Sequence, residues 1–190
     1  MLKRYQWIIG TVLVVLALQG GLELLMGRSP LWPDGRFGWW DGNVWGSENS
    51  QRVADAYTFS HLIHGILFYA GFWLVARKLP VRQRLIAALL LEAAWELLEN
   101  SPLIINRYRA ATIAQGYDGD SVLNSVCDTI TAILGFLFAF RFRPWVSVAA
   151  ILVLEIGCAI WIRDNLTLNV IMLIYPIEAI KQWQLAGKPG

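Results

Sequence analysis

Apolar runs close to 20 residues long recur along this chain, and that recurrence sharply limits what it can fold into. A helix needs about 20 predominantly apolar residues to cross the hydrocarbon core of a bilayer. Inside that core every backbone N–H and C=O must be satisfied within the protein, so spanning segments are helices or closed barrels. Six segments fit the helical case: residues 6–26, 57–76, 82–100, 120–140, 145–162 and 166–181. Only Arg163, Asp164 and Asn165 separate the last two, and Pro176 predicts a kink or partly interfacial placement in the final one. The hydrophobic fraction of 56% exceeds the roughly 45–50% of soluble domains. The expected fold is an all-α, polytopic membrane helix bundle, one integral membrane domain over residues 1–190.

Orientation follows from Lys and Arg, which collect in cytoplasmic loops. The short basic turns at Arg77–Arg84 and Arg141–Arg143, with Lys3, Arg4, Lys181 and Lys188, predict that both termini are cytoplasmic. Arg28, Arg36, Arg52, Arg107, Arg109 and Arg163 are spread over the opposite side. The N-terminal run continues past Leu18 through Leu25 without a small-x-small cleavage signature, so it is read as a retained anchor rather than a signal peptide. Two outer loops are expected, 27–56 and 101–119. The first holds Trp32, Trp39, Trp40 and Trp45 and reads as an interfacial rim or lid, or as an ordinary aromatic belt. The net charge of +2, without a basic face, gives no reason to expect nucleic acid. Cys127 and Cys158 lie in apolar runs and read as small hydrophobes.

Against this apolar background, ionisable residues sit inside three consecutive segments. They are His61 and His64; Glu92, Glu96 and Glu99; and Asp120 and Asp128, with Asn124 between the last two. At about 1.5 Å of rise per residue, all fall within roughly 12 Å of the outer boundary. Spacings of three and four place each set on one helix face, so the stripes should converge in the bundle interior. Glu23 and Glu155 lie at a depth from which they could join. Ionisable side chains in a membrane are costly and mark a functional site by default.

Carboxylates crowded into a low-dielectric pocket need compensation by protons, arginines or a cation. Arg107 and Arg109 are the arginine candidates. Histidine with carboxylate at helical spacing is a ligand mixture for Zn, Mn or Fe. We read His61, His64, Glu96 and Asp128 as the metal-ligand candidates. Glu92 and Glu99 are candidate general bases, and Asp120 and Asn124 complete the catalytic set. An aspartyl pair of Asp120 and Asp128 is the non-metal alternative. No His-Glu-x-x-His and no Gly-x-Ser-x-Gly occurs.

The stretches Tyr57-Thr58-Phe59-Ser60-His61-Leu62-Ile63-His64-Gly65, Glu92-Ala93-Ala94-Trp95-Glu96-Leu97-Leu98-Glu99-Asn100-Ser101-Pro102 and Tyr117-Asp118-Gly119-Asp120-Ser121-Val122-Leu123-Asn124-Ser125-Val126-Cys127-Asp128 resemble an uncharacterised family of small alphaproteobacterial inner-membrane proteins. The resemblance runs from the first segment to the fifth. It implies a multi-pass location in the bacterial inner membrane and carries no assigned activity.

Three functional readings follow. The leading one is a metal-dependent hydrolase or transferase acting on a lipid or other membrane-embedded substrate at the outer leaflet. The second is a proton or cation transporter or channel component using the same carboxylates. The third is a non-catalytic assembly or structural protein whose polar core fixes packing.

Overall fold

The computed structural model of the chain describes residues 6–31, 37–114 and 116–188. Lys3, Arg4, Trp32 and Arg36, which entered the topology and loop expectations, lie outside them. The described residues form helices α1 (Gln6–Leu25), α2 (Thr58–Val75), α3 (Val81–Glu99), α4 (Pro102–Ala111), α5 (Val122–Arg141), α6 (Pro144–Ile162), α7 (Leu166–Ile174) and α8 (Glu178–Leu185). Two short strands, β1 (Trp40–Asp41) and β2 (Ala54–Asp55), pair in parallel.

Four helices, α1, α2, α5 and α6, are long and apolar enough to cross a membrane. The third expected segment is a helix of comparable length, but Arg82, Arg84, Glu92, Glu96 and Glu99 give α3 too many charges to qualify on composition. The sixth segment is not one helix. It breaks at Tyr175–Pro176–Ile177 into α7 and α8, because proline lacks an N–H and biases the residue before it away from helix. A nine-residue α7 rises about 14 Å, half of a bilayer core. Nor is 101–119 purely a loop: Pro102, suited to a first helical turn, opens α4.

Helix α5 is central, touching α1, α2, α3 and α6, and its partnership with α2 is the most extensive in the molecule. That pair crosses in backbone contact. A Cβ added at Gly65 would lie 1.9 Å from the Ala132 carbonyl oxygen, and one at Gly135 would lie 2.1 Å from that of Leu62. Only glycine permits this approach at both positions. Beside the crossing, Ile66, Leu89 and Phe136 are buried. The outward faces are apolar; Val153 and Ile160 on α6 are 69% and 78% exposed. Continuous apolar exposure of this kind suits a lipid surrounding better than water.

The end of α1 and the starts of α2 and α5 meet at one end of the bundle, hereafter the site end. There the Ser121 N–H donates to Ser50 O at 3.0 Å and the Val122 N–H to Ser29 O at 2.9 Å. Trp40 stacks on Trp161 at 5.9 Å and meets Phe59 at 6.1 Å, which fastens the Trp-rich loop over α2 and α6. Asp55 Oδ1 accepts from the N–H groups of Tyr57 (2.7 Å) and Thr58 (3.1 Å), placing a carboxylate at the N-terminus of α2.

Candidate functional site

A cavity of about 320 Å³ opens at the site end between α2, α3, α5 and α7. Of the eight residues singled out from the sequence, His61, His64, Glu99, Asp120, Asn124 and Asp128 line it. Glu92 and Glu96, both fully buried, stand directly behind the histidines. The three stripes therefore do converge, as their helical spacing implies, with α2 and α5 held together by the glycine crossing just below.

Glu92 bonds both histidines. Its Oε1 lies 2.7 Å from His61 Nδ1 and 3.1 Å from His64 Nδ1, and its Oε2 is 3.1 Å from His64 Nδ1. A carboxylate on Nδ1 fixes ring orientation and tautomer, and raises the basicity of Nε2. Glu96 Oε1 is 3.1 Å from His61 Nδ1, but the single proton of that nitrogen serves the closer Glu92. On the other side of the same ring, His61 Nε2 is 3.9 Å from Asp128 Oδ2. Two carboxylate atoms here, Glu96 Oε1 and Asp128 Oδ1, are buried without a hydrogen-bond partner among the described residues, and Asp128 is only 3% exposed. Buried acceptors of this kind are costly unless a proton, a water or an ion completes them.

Two groups have donor atoms that could meet on one ion, each set lying within 4.8 Å: His61, His64 and Glu92, and His61, Glu96 and Glu99. His61 belongs to both. Arg107 and Arg109 do not compensate these carboxylates. Arg107 donates from Nε to Leu173 O (2.7 Å), tying α4 to the end of α7, and Arg109 donates from Nη2 to Asp118 Oδ1 (2.5 Å), closing a local turn. Glu155 also stays apart, accepting from the N–H groups of Leu166 (3.0 Å) and Thr167 (3.2 Å) at the start of α7.

Glu23 does join the layer. Ser125 Oγ contacts Glu23 Oε1 and Glu96 Oε2, the latter at 2.8 Å, and accepts from Gln19 Nε2 at 2.8 Å. Having one proton, the hydroxyl can donate to only one of the two acids. Thr129 Oγ1 donates to Gln19 Oε1 at 2.8 Å and completes this buried row on α1 and α5.

The mouth of the cavity contains residues that the stripe argument did not reach. Asn100 Nδ2 donates to Asp120 Oδ2 (2.8 Å), and the Asp120 N–H donates to Asn100 Oδ1 (2.7 Å). Tyr117 donates from its hydroxyl to Asp120 Oδ1 at 2.9 Å. Gly119, at φ +91°, makes the turn that delivers Asp120 there. The spacing 92, 96, 100 would have included Asn100. Asp55 and Tyr117, in loops without periodicity, carry no such signal. Burial pushes Asp55 above the usual carboxylate value, against the pull of its backbone N–H donors.

The family described as "Protein of unknown function (DUF2585)" matches residues 23–186. A UPF0314 protein of Sphingopyxis alaskensis is 47% identical over 186 residues, covering 98% of both chains. One from Rhizobium etli is 52% identical over 178 residues, covering 94% of this chain and 91% of its own. One from Agrobacterium fabrum is 51% identical over 184 residues, covering 97% and 92%. No solved structure matches.

Proposed function

The chain belongs to the DUF2585 family, and from that premise, which carries no chemistry, we propose that it is a multi-pass inner-membrane protein with a divalent-cation site at His61. One observation carries this: His61, itself buried, is shared by two His–carboxylate groups whose donor atoms lie within 4.8 Å of one another. His64 and Glu96 belong to one group each, Glu92 bonds both rings, and Asp128, outside both groups, stands on the Nε2 side of His61 at 3.9 Å. Zn, Mn or Fe suits such ligands. The basic turns at Arg77–Arg84 and Arg141–Arg143 lie at the end opposite the site, which supports a cytoplasmic placement of that end and both termini, and a periplasm-facing cavity.

In this reading the protein is a metal-dependent hydrolase or transferase acting on a lipid or membrane-embedded substrate. A divalent cation held by these residues would supply Lewis acidity, lowering the pKa of a water or polarising a substrate oxygen. Glu99, on the cavity wall, accepts the proton; Asp120 and Asn124 hold the polar part of the substrate. A transport role fits less well, because α2 and α5 close on each other at the Gly65–Gly135 crossing, with Ile66 and Phe136 buried beside it.

Elemental analysis of detergent-purified protein beside Glu96→Gln and His61→Ala variants tests the site. Near-stoichiometric metal that is lost in the variants is the expected result. Metal-free wild-type protein, or full metal retained in the variants, overturns it.

A further inference from the structure

The lining of the cavity is graded along the helix axes. Its mouth is polar, with Asp55, Tyr117 and Asp120. The histidines and Asp128 come next, within about 9 Å along their helices from the starts of α2 and α5. Deeper still the wall is apolar: Phe68 lies about 15 Å along α2 from its start, and Leu91 about 12 Å along α3 from its end. Part of the apolar lining also reaches the outside of the molecule. Leu91 on α3 is 47% exposed and Val170 on α7 is 43% exposed, whereas Asp120, Asn124 and Asp128 are buried. The short α7 leaves a lateral opening beside α3 at a depth where the outer faces of the helices are apolar.

We infer that this opening admits one membrane lipid in its ordinary bilayer orientation, an inference that rests on the proposed function and names its substrate class. The acyl chain passes out between Leu91 and Val170, the linkage between chain and headgroup stands at the histidines, and the headgroup occupies the mouth. The volume of about 320 Å³ is at the small end for ligand sites, room for a headgroup and the upper part of a chain. At the outer end the carboxyl groups Asp55, Glu99 and Asp120 line the cavity and no Lys or Arg stands among its described lining residues, so charge complementarity favours a headgroup that carries a positive charge. The lipid class is therefore one with an amine headgroup, such as phosphatidylethanolamine, in preference to an anionic headgroup.

The test is native mass spectrometry of the full chain after equilibration with vesicles of phosphatidylethanolamine and phosphatidylglycerol in equal parts. The expected result is a single retained lipid, mostly phosphatidylethanolamine. Its retention should fall about tenfold or more in the Leu91→Trp/Val170→Trp double variant, a loss of about 1.4 kcal/mol or more. It should persist in Leu98→Trp, an exposed position on α3 outside the cavity. No retained lipid in the wild type, or equal retention in the double variant and the control, overturns the portal; a preference for phosphatidylglycerol overturns the headgroup assignment. Elemental analysis of the same samples separates the two ideas: metal without lipid overturns the portal alone, and lipid without metal supports the portal while overturning the cation site.

Discussion

Along the α2–α5 pair, adjacent residues belong to opposite environments. His64 lines the cavity, and Gly65, the next residue, lies against the backbone of α5 with no room for a methyl group. On α5, Asp128 lines the same cavity, and two turns further Gly135 mirrors the contact from the other side. The cavity and the closure depend on each other. Charged groups can be concentrated at one end of a bundle only if something below them is dry and tight, and small residues let two helices approach closely enough to make that floor.

The largest expected effect comes from opening the floor. Gly135→Val or Gly65→Val places side-chain atoms where backbone oxygens already lie, so the cost should exceed the 1–3 kcal/mol typical of overpacking. Loss of a monodisperse, cooperatively unfolding species in detergent is the expected readout; a wild-type Tm would show that the helices can separate freely.

On the cavity side of the comparison, Glu92→Gln keeps shape but removes the charge that orients two imidazoles. Metal affinity should fall about 10- to 100-fold, measured by titration calorimetry, with the fold retained. Unchanged affinity would mean that the rings are held by packing alone.

Asn100→Ala leaves the Asp120 N–H and Oδ2 without their partner at the buried mouth and should cost about 1–3 kcal/mol in chemical unfolding. Because Asn100 bonds no histidine, metal content should stay at the wild-type level.

The smallest effect concerns Asp164, in the α6–α7 turn. It is buried and accepts from Gln184 Nε2 (2.9 Å) and the Tyr57 hydroxyl (3.2 Å). Burial pushes its carboxyl up to about 6 from 3.8, so the folded protein binds the proton more tightly than the unfolded chain. Its contribution therefore falls as pH rises from about 4 to about 6 and is level above that. Asp164→Asn should flatten this part of the stability profile, and an unaltered slope would assign it to another group.

Much of the site was legible because helical periodicity is local. The i, i+3 and i, i+4 spacings of His61, His64, Glu92, Glu96, Asn124 and Asp128 need no knowledge of neighbours, and depth followed from rise per residue. Arg107 and Arg109 misled for the opposite reason: proximity in sequence to Glu99 says nothing about which way a long side chain turns, and both found carbonyl oxygens nearby. Pro176 marks the final apolar run for a kink in the sequence, but how far the chain breaks there is a tertiary result: α7 ends at Ile174 after nine residues and α8 restarts at Glu178.

What the sequence determined by itself was an α-helical bundle with apolar exteriors and three polar stripes at one depth, since backbone satisfaction in an apolar medium and the 3.6-residue repeat leave few alternatives. What only the tertiary structure decided was the division of labour within those stripes. Glu92 and Glu96 lie behind the rings while Glu99, Asp120 and Asp128 face the cavity, because helix rotation and the glycine crossing set distances of a few ångströms that residue spacing cannot encode.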